Sequence, residues 1–433
     1  MTRPASLLAA LLLLLGGCAP AGTPATGAPA LLTRGSGGVN RPEVRGRPHL
    51  VLVSFDGFRH DYLDRYPSPA FARVARGGVR AEGLVSVFPS KTFPNHYSVV
   101  TGAYAEQHGI VANSFWDPAR GESYSLSNRR AVQDSSWYRA EPLWVTAEKA
   151  GMVASAFFWP GSEAAIGGVR PTFWKEYSDS MPITARVDTV LHWLRLPEER
   201  RPHVVTLYMS DVDNAGHAHG PDAPQTAAAV RTVDAALGRL LDGIQALPVR
   251  DRVYLVLVSD HGMATYTPQT AVALETLIDT VGVRMADGGP NANLHVSGGP
   301  ERARVLRDSI NRRLRNGRAY LRAELPERFH YRADPRAGDV VVVMDEHWQI
   351  SRAARMPRSP GGTHGWDPEL PSMHGIFLAM GPGIPAGTRV PAFRNVEIYP
   401  FMAEVLGLRP AAGIAGRPGW LRGVIGMRPA AAR

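Results

Sequence analysis

The run His49–Asp56, HLVLVSFD, decides the fold. It is short, apolar, and closed by a carboxylate. Such a run reads as a strand buried on both faces, the kind found inside a parallel sheet. Two more runs have the same form: Val204–Asp213 (VVTLYMSDVD) and Tyr254–Asp260 (YLVLVSD). His217 lies four residues after Asp213, and His261 follows Asp260 directly. Open α/β sheets build their sites at the carboxyl ends of the strands. Three such ends bearing Asp and His predict one acidic, imidazole-containing pocket. A pocket of that composition suits a two-metal hydrolase.

Outward from these runs, β-rich and helical segments alternate. Further strands are expected at Val153–Phe158 and Gly375–Ala379. Helices are expected at Pro69–Arg76, Pro94–Thr101, Leu143–Ala150, Ile183–Leu194 and Ala223–Ala246. The last carries Val230, Val233, Leu237, Leu240, Leu241 and Ile244 as a helical stripe. Alternation of this kind predicts an α/β fold, a central and largely parallel sheet with helices on both faces. Strand-like Val281–Met285 and Val340–Met344 flank a helix at Pro300–Arg315, so residues 281–360 read as a small inserted subdomain. Within it, Trp348–Gly362 reads as a loop crossing the site.

Composition (44% hydrophobic, 20% charged) is that of a globular protein, which excludes a disordered chain. The formal charge is +9, nearly all from Arg; Lys occurs only at 91, 149 and 175. The basic residues form no tight run, so no stable nucleic-acid partner is expected, and no motif points to a protein partner. The single Cys, Cys18, excludes an intrachain disulfide. It follows the apolar run LLAALLLLL and Leu15-Gly16-Gly17, which resembles a bacterial lipoprotein signal. Residues 1–17 are then a signal peptide, Cys18 the lipidated residue, 18–47 a Pro- and Gly-rich flexible tether, and 48–425 the catalytic domain. By the same resemblance, Ala19 after the Cys favours the periplasmic face of the outer membrane; the alternative is an ordinary signal cleaved near Ala21.

Ser90-Lys91-Thr92-Phe93-Pro94-Asn95-His96 leads into a helix, with Pro94 in the first turn and Thr92 at or just before the N-cap. Free amides at such a start favour an anion such as phosphate. Catalytic zinc keeps three protein ligands and an open position. Two such triples can be assembled here: Asp56, Asp260 and His261; and Asp213, His217 and His364. Each residue alone has a plainer reading: Asp56 as a helix cap, Asp260 in a turn, His364 as an exposed loop residue, Thr92 as a cap.

The motifs FDGFRHDYL, SKTFPNHYSVVTG, HGIVANSFWDP, WPGSEAAIGGVRPTFW, DVDNAGHAHGP, VSDHGM, THGWDPELPSMHGIF and FRNVEIYPFMAEVLGL run in one order over residues 48–410. Together they resemble the nucleotide pyrophosphatase/phosphodiesterase family of the alkaline phosphatase superfamily. The resemblance implies an alkaline-phosphatase-like sheet and two Zn2+. It makes Thr92 the nucleophile of a covalent phospho-threonine intermediate, sharing one ion with Asp56, Asp260 and His261. The other three ligands hold the second ion, and His219 falls outside the ligand set. Asn113, with a backbone N–H near Phe93, would bind a phosphate oxygen. Phe93 and Tyr177 would sandwich a nucleobase. His96, His108 and His374 are expected to make structural hydrogen bonds. The implied substrate is a nucleotide-type phosphodiester or pyrophosphate. Lipid-type diesters such as glycerophosphocholine or lysophospholipids, and monoester or phosphonate hydrolysis on the same scaffold, remain open alternatives.

Overall fold

A computed structural model describes residues 33–34 and 38–427. Cys18 and the signal segment lie outside the described residues. Among those described, no helix is long and apolar enough to cross a membrane.

Strand β1 (His49–Phe55) sits inside a nine-stranded sheet. It is flanked in parallel by β2 (Val204–Met209) and β3 (Val253–Val258). Strands Ala154–Phe157 and Phe173–Lys175 extend the parallel set beyond β2. Beyond β3, Phe377–Met380 runs antiparallel. The sheet is therefore largely parallel, as its apolar runs predict.

Successive residues of β1 serve opposite faces. Leu50 and Leu52 join one core cluster; Val51, Val53 and Phe55 join the other. A period of two with both faces apolar is why these strands read as unbroken hydrophobic runs. Helices Pro69–Gly77, Ile183–Leu194 and Pro224–Gln245 cover the second face through Phe71, Val190 and Leu237. Leu143–Lys149 and Ile398–Val405 cover the first through Trp144 and Phe401. Each fully buried Val or Leu contributes about 1.5–3 kcal/mol, so the strand ends that carry the site rest on a stable frame.

Residues 283–344 build a second sheet of four antiparallel strands, ordered Val283–Asp287, Asn291–Val296, Val340–Met344, Gly317–Leu321. Helix Gly299–Arg313 covers one face through Ala303, Leu306 and Ile310. Buried Arg336 ties this insertion to the body. It donates to Asp117 (2.8 Å) and to the carbonyls of Gly109 (2.8 Å) and Trp137 (2.9 Å).

Two expectations are corrected. The stretch 38–47 is packed rather than tether-like. Asn40 is buried, donating to the carbonyls of Glu198 (2.8 Å) and Arg201 (2.7 Å) and accepting from Val153 N–H (2.7 Å). Val44 enters the core, and Thr33–Arg34 pairs with Phe173–Trp174. One Asn with three good partners outweighs the Pro/Gly composition around it. The segment 348–362 is not all loop: Gln349–Ser351 pairs with Ala271–Ala273, and Gly361–Thr363 pairs with Ala264–Tyr266.

Candidate metal centre and active site

The three strand ends converge. Ser54 lies beside both Tyr208 and Val258 in the sheet register, so the residues that follow β1, β2 and β3 leave the same edge. Asp56 follows β1, and Asp260 and His261 follow β3. After β2 the chain turns into helix α2 (Asp211–His219), where Asp213 and His217 share one face at i,i+4 spacing. Gly57 makes this crowding feasible. Its φ is +66°, and a Cβ there would lie 2.9 Å from Asp213 Cα. Helix α1 (Thr92–Thr101) begins with Thr92 as its first helical residue and Lys91 as the N-cap, one position later than expected for Thr92. His364 follows strand Gly361–Thr363, which packs closely on α2; a Cβ at Gly362 would lie 2.4 Å from the Gly216 carbonyl.

Three imidazoles are oriented alike. The Nδ1 of His217 is bonded to the Gly362 carbonyl (2.9 Å), that of His261 to the Gly262 carbonyl (2.9 Å) and that of His364 to the Ser90 carbonyl (2.8 Å). Each bond fixes the tautomer and leaves Nε2 as a lone-pair donor facing the carboxylates. His261 Nε2 lies 2.9 Å from Asp260, 3.4 Å from Asp56 and 3.4 Å from Thr92 Oγ1. His217 Nε2 lies 3.4 Å, and His364 Nε2 3.8 Å, from Asp213. The rings of His261 and His364 stack at 3.5 Å, joining the two halves.

Six of the seven residues expected to hold metal are thus Asp or His drawn into one cluster, with Thr92 at its edge. Two groups of three have donor atoms within 4.8 Å of one another: Asp213, His261 and His364; and Asp56, His96 and Asp260. His261 therefore stands between the two expected triples. His96 is bonded to Ser54 Oγ (2.7 Å) at one nitrogen and to the Thr92 carbonyl (2.9 Å) at the other, and that second nitrogen also lies 3.3 Å from Asp260. His108 likewise bonds Ser98 Oγ (3.0 Å) and accepts from Ile110 N–H (3.1 Å).

The charges fit a cation. Burial, with Asp260 and Asp213 nearby, pushes Asp56 well above the usual carboxylate range. Burial also raises Asp213. Burial works to raise Asp260 too, but His261 and His96 beside it hold it well below that range. Burial, with His261 and His217 alongside, pushes His364 far down, into the neutral form that ligates metal. One buried oxygen on each of Asp56, Asp213 and Asp260 has no hydrogen-bond partner. Three buried carboxylate oxygens with no hydrogen-bond partner, gathered beside imidazoles, are a poor arrangement for protein alone and a good one for divalent ions.

The cluster floors a cavity of about 260 Å³. Phe93 and Tyr177 both line it. Phe93 packs edge-on to Tyr124 (6.3 Å) and Tyr177 to Phe158 (5.1 Å). Asn113 also lines the cavity. The Phe93 N–H donates to Asn113 Oδ1 (2.9 Å), so the two do not act as parallel donors. That bond leaves the Asn113 amide hydrogens to face the cavity. Among the lining residues that sequence reasoning missed, three bear on the chemistry. Tyr208, read as part of an apolar strand, donates its hydroxyl to Asp56 (2.6 Å). Arg129 pairs with Glu163 at the cavity wall. Phe158 lines it with φ +64°, a strained backbone that marks functional sites.

An α/β sheet whose carboxyl edge gathers a threonine hydroxyl, three carboxylates and three oriented imidazoles defines a metal-dependent hydrolase type of site. Residues 50–367 match the family model of type I phosphodiesterase / nucleotide pyrophosphatase, and the chain belongs to that family. It is similar to human ectonucleotide pyrophosphatase/phosphodiesterase family member 1, at 35% identity over 386 residues, 86% of this chain and 42% of the relative. It is similar also to the venom phosphodiesterase of Naja atra, at 36% identity over 378 residues, 86% of this chain and 45% of the relative. The chain thus spans less than half the length of these curated relatives. Among solved structures, murine ectonucleotide pyrophosphatase/phosphodiesterase 5, an inactive Thr-to-Ala variant in complex with AMP, superposes with a TM-score of 0.81 at 32% identity. The match covers 88% of this chain and all of that one.

Proposed function

We propose that this chain hydrolyses phosphodiester or pyrophosphate bonds in nucleotide-type substrates through a covalent phospho-threonine intermediate on Thr92. The observation that carries the reading is the place of Thr92 Oγ1. It lies at a helix start, 3.4 Å from His261 Nε2, on the floor of a cavity walled by Phe93 and Tyr177. The AMP bound by the murine relative supports a nucleotide-type ligand.

Zinc ions held by Asp56, Asp260 and His261, and by Asp213, His217 and His364, would neutralise the phosphate and ease ionisation of the Thr92 hydroxyl. The chain's own residues do the rest. Thr92 Oγ1 gives up its proton and forms the bond to phosphorus as the ester or anhydride P–O bond breaks, and the leaving alcohol or nucleotide takes up a proton. Water then forms a P–O bond, the Thr92–phosphorus bond breaks, and Thr92 regains its proton. The Asn113 amide donates to a non-bridging oxygen. Phe93 and Tyr177 flank the organic group.

The cations near the cavity favour diesters. Arg129 is engaged by Glu163 and Glu176, and Lys91 by Asp287, so neither is free for the extra charge of a monoester. Bis(p-nitrophenyl) phosphate is therefore expected to exceed p-nitrophenyl phosphate by at least about tenfold in kcat/KM, roughly 1.4 kcal/mol of transition-state binding. A preference for the monoester overturns the substrate class. Absence of turnover on either, with metal bound, makes the chain a non-catalytic binder. Faster turnover of glycerophosphocholine than of a nucleotide ester moves the reading to lipid diesters.

On sequence grounds we further propose that 48–425 is the catalytic domain, lipid-anchored through Cys18 on the periplasmic face of the outer membrane. Mass spectrometry of the mature amino terminus checks this; an unmodified terminus beyond Cys18 rules out the anchor.

A further inference from the structure

The residue before Thr92 is one of only three lysines in a chain that otherwise uses arginine. Its side chain is 6% exposed and caps nothing, although Lys91 occupies the N-cap position of α1. It turns instead to the inserted sheet, where Nζ donates to the Asp287 carboxylate and to the Gly288 carbonyl (3.2 Å). Asp287 closes strand Val283–Asp287 and accepts from Gly288 N–H (3.0 Å). The lysine stem runs beneath Gly365, where φ is +121° and a Cβ would lie 3.0 Å from Lys91 Cε.

The neighbouring residue is anchored from the other side. Ser90 Oγ donates to the Trp366 carbonyl (3.0 Å), and the Ser90 carbonyl holds His364 Nδ1 (2.8 Å). Segment 90–92 is therefore clamped by the His364–Trp366 turn on one flank and by the inserted sheet on the other. A buried ion pair is an expensive way to gain stability, because both charges must leave water. It does fix direction, and a displacement of about 1 Å at a reacting group costs roughly 10²-fold in rate.

We propose that Lys91 and Asp287 are a positioning pair, through which the inserted sheet holds the chain so that Thr92 Oγ1 faces the Asp–His cluster. The inference rests on Thr92 as the nucleophile. It gives the insertion a part in the chemistry without contact to substrate.

The test is the double variant Lys91→Met/Asp287→Asn. It removes both charges together, keeps the side-chain volumes and retains the Gly288 N–H bond, so neither charge is left buried alone. The readouts are kcat and KM on bis(p-nitrophenyl) phosphate, the melting temperature, and amide exchange at Phe93 and Asn95, which bond Asn113 Oδ1 and the Lys91 carbonyl. The expected result is a kcat lower by roughly 10- to 100-fold, with KM within about twofold because the organic-group contacts are untouched. Exchange at Phe93 and Asn95 quickens while that of β1–β3 stays as in wild type. Wild-type kcat and exchange in the folded double variant overturn the proposal. A kcat loss that only tracks a lost folded fraction also overturns it, leaving a purely structural pair. If wild type itself turns over no diester, the functional reading fails, while exchange at Phe93 and Asn95 still decides the clamp.

Discussion

Thr92→Ala lowers kcat by roughly 10³-fold or more, because removing a nucleophile removes the step it performs rather than tuning it. The fold is expected to survive. The side-chain contact of Thr92 is the 3.4 Å approach to His261, and alanine is a strong helix former at the first position of α1. Metal content should persist, since the Asp and His side chains remain. Steady-state turnover on a diester, paired with metal analysis of the same sample, checks both halves. Turnover within tenfold of wild type removes Thr92 from the mechanism. Loss of metal together with activity would instead make Thr92 an indispensable part of the binding set. Thr92→Ser keeps a hydroxyl and should recover much of the rate, although the lost methyl frees its rotamer.

What the sequence made legible was whatever a short range of chain determines. β1, β2 and β3 were readable because strands buried on both faces must be apolar throughout, and the first polar residues after them must lie at the sheet edge. Asp213 and His217 were readable as a pair because four residues make one helical turn. Residues whose role depends on a distant partner were hidden. Tyr208 looks like one more apolar strand residue until the register sets it beside Ser54 and lets its hydroxyl reach Asp56. Asn40 sat in a Pro- and Gly-rich stretch, and its three partners come from 113 to 161 residues away. The division of the cluster was likewise not legible, since His261 follows Asp260 in sequence yet stacks on His364 from another element. Asn113 shows the same limit in reverse. Its place near Phe93 was readable, but not that the Phe93 amide would donate to it.

Removing the metal is expected to cost both activity and stability, and the two losses share one cause. Asp56 and Asp260 are buried, Asp213 is nearly so, and burial, with Asp260 and Asp213 alongside, raises Asp56. Without a cation, this repulsion opposes folding at neutral pH. With one, the orphaned oxygens acquire a partner. Chelation by EDTA should therefore abolish turnover and lower the melting temperature. Zinc at about a thousandfold over its Kd should restore roughly 4 kcal/mol, and zinc should serve better than magnesium because three of the donors are imidazoles. His364→Ala should mimic part of this, cutting activity by orders of magnitude while leaving Asp213 and His217 in place. Its Nδ1 bond to Ser90 is also lost, so some displacement of segment 90–92 adds to the effect. Asp56→Asn makes the sharper contrast, because it removes one buried negative charge. In EDTA this variant should melt at a higher temperature than wild type, and in zinc at a lower one. A variant that melts lower than wild type under both conditions would show that the Asp56 carboxylate stabilises the fold itself rather than a cation.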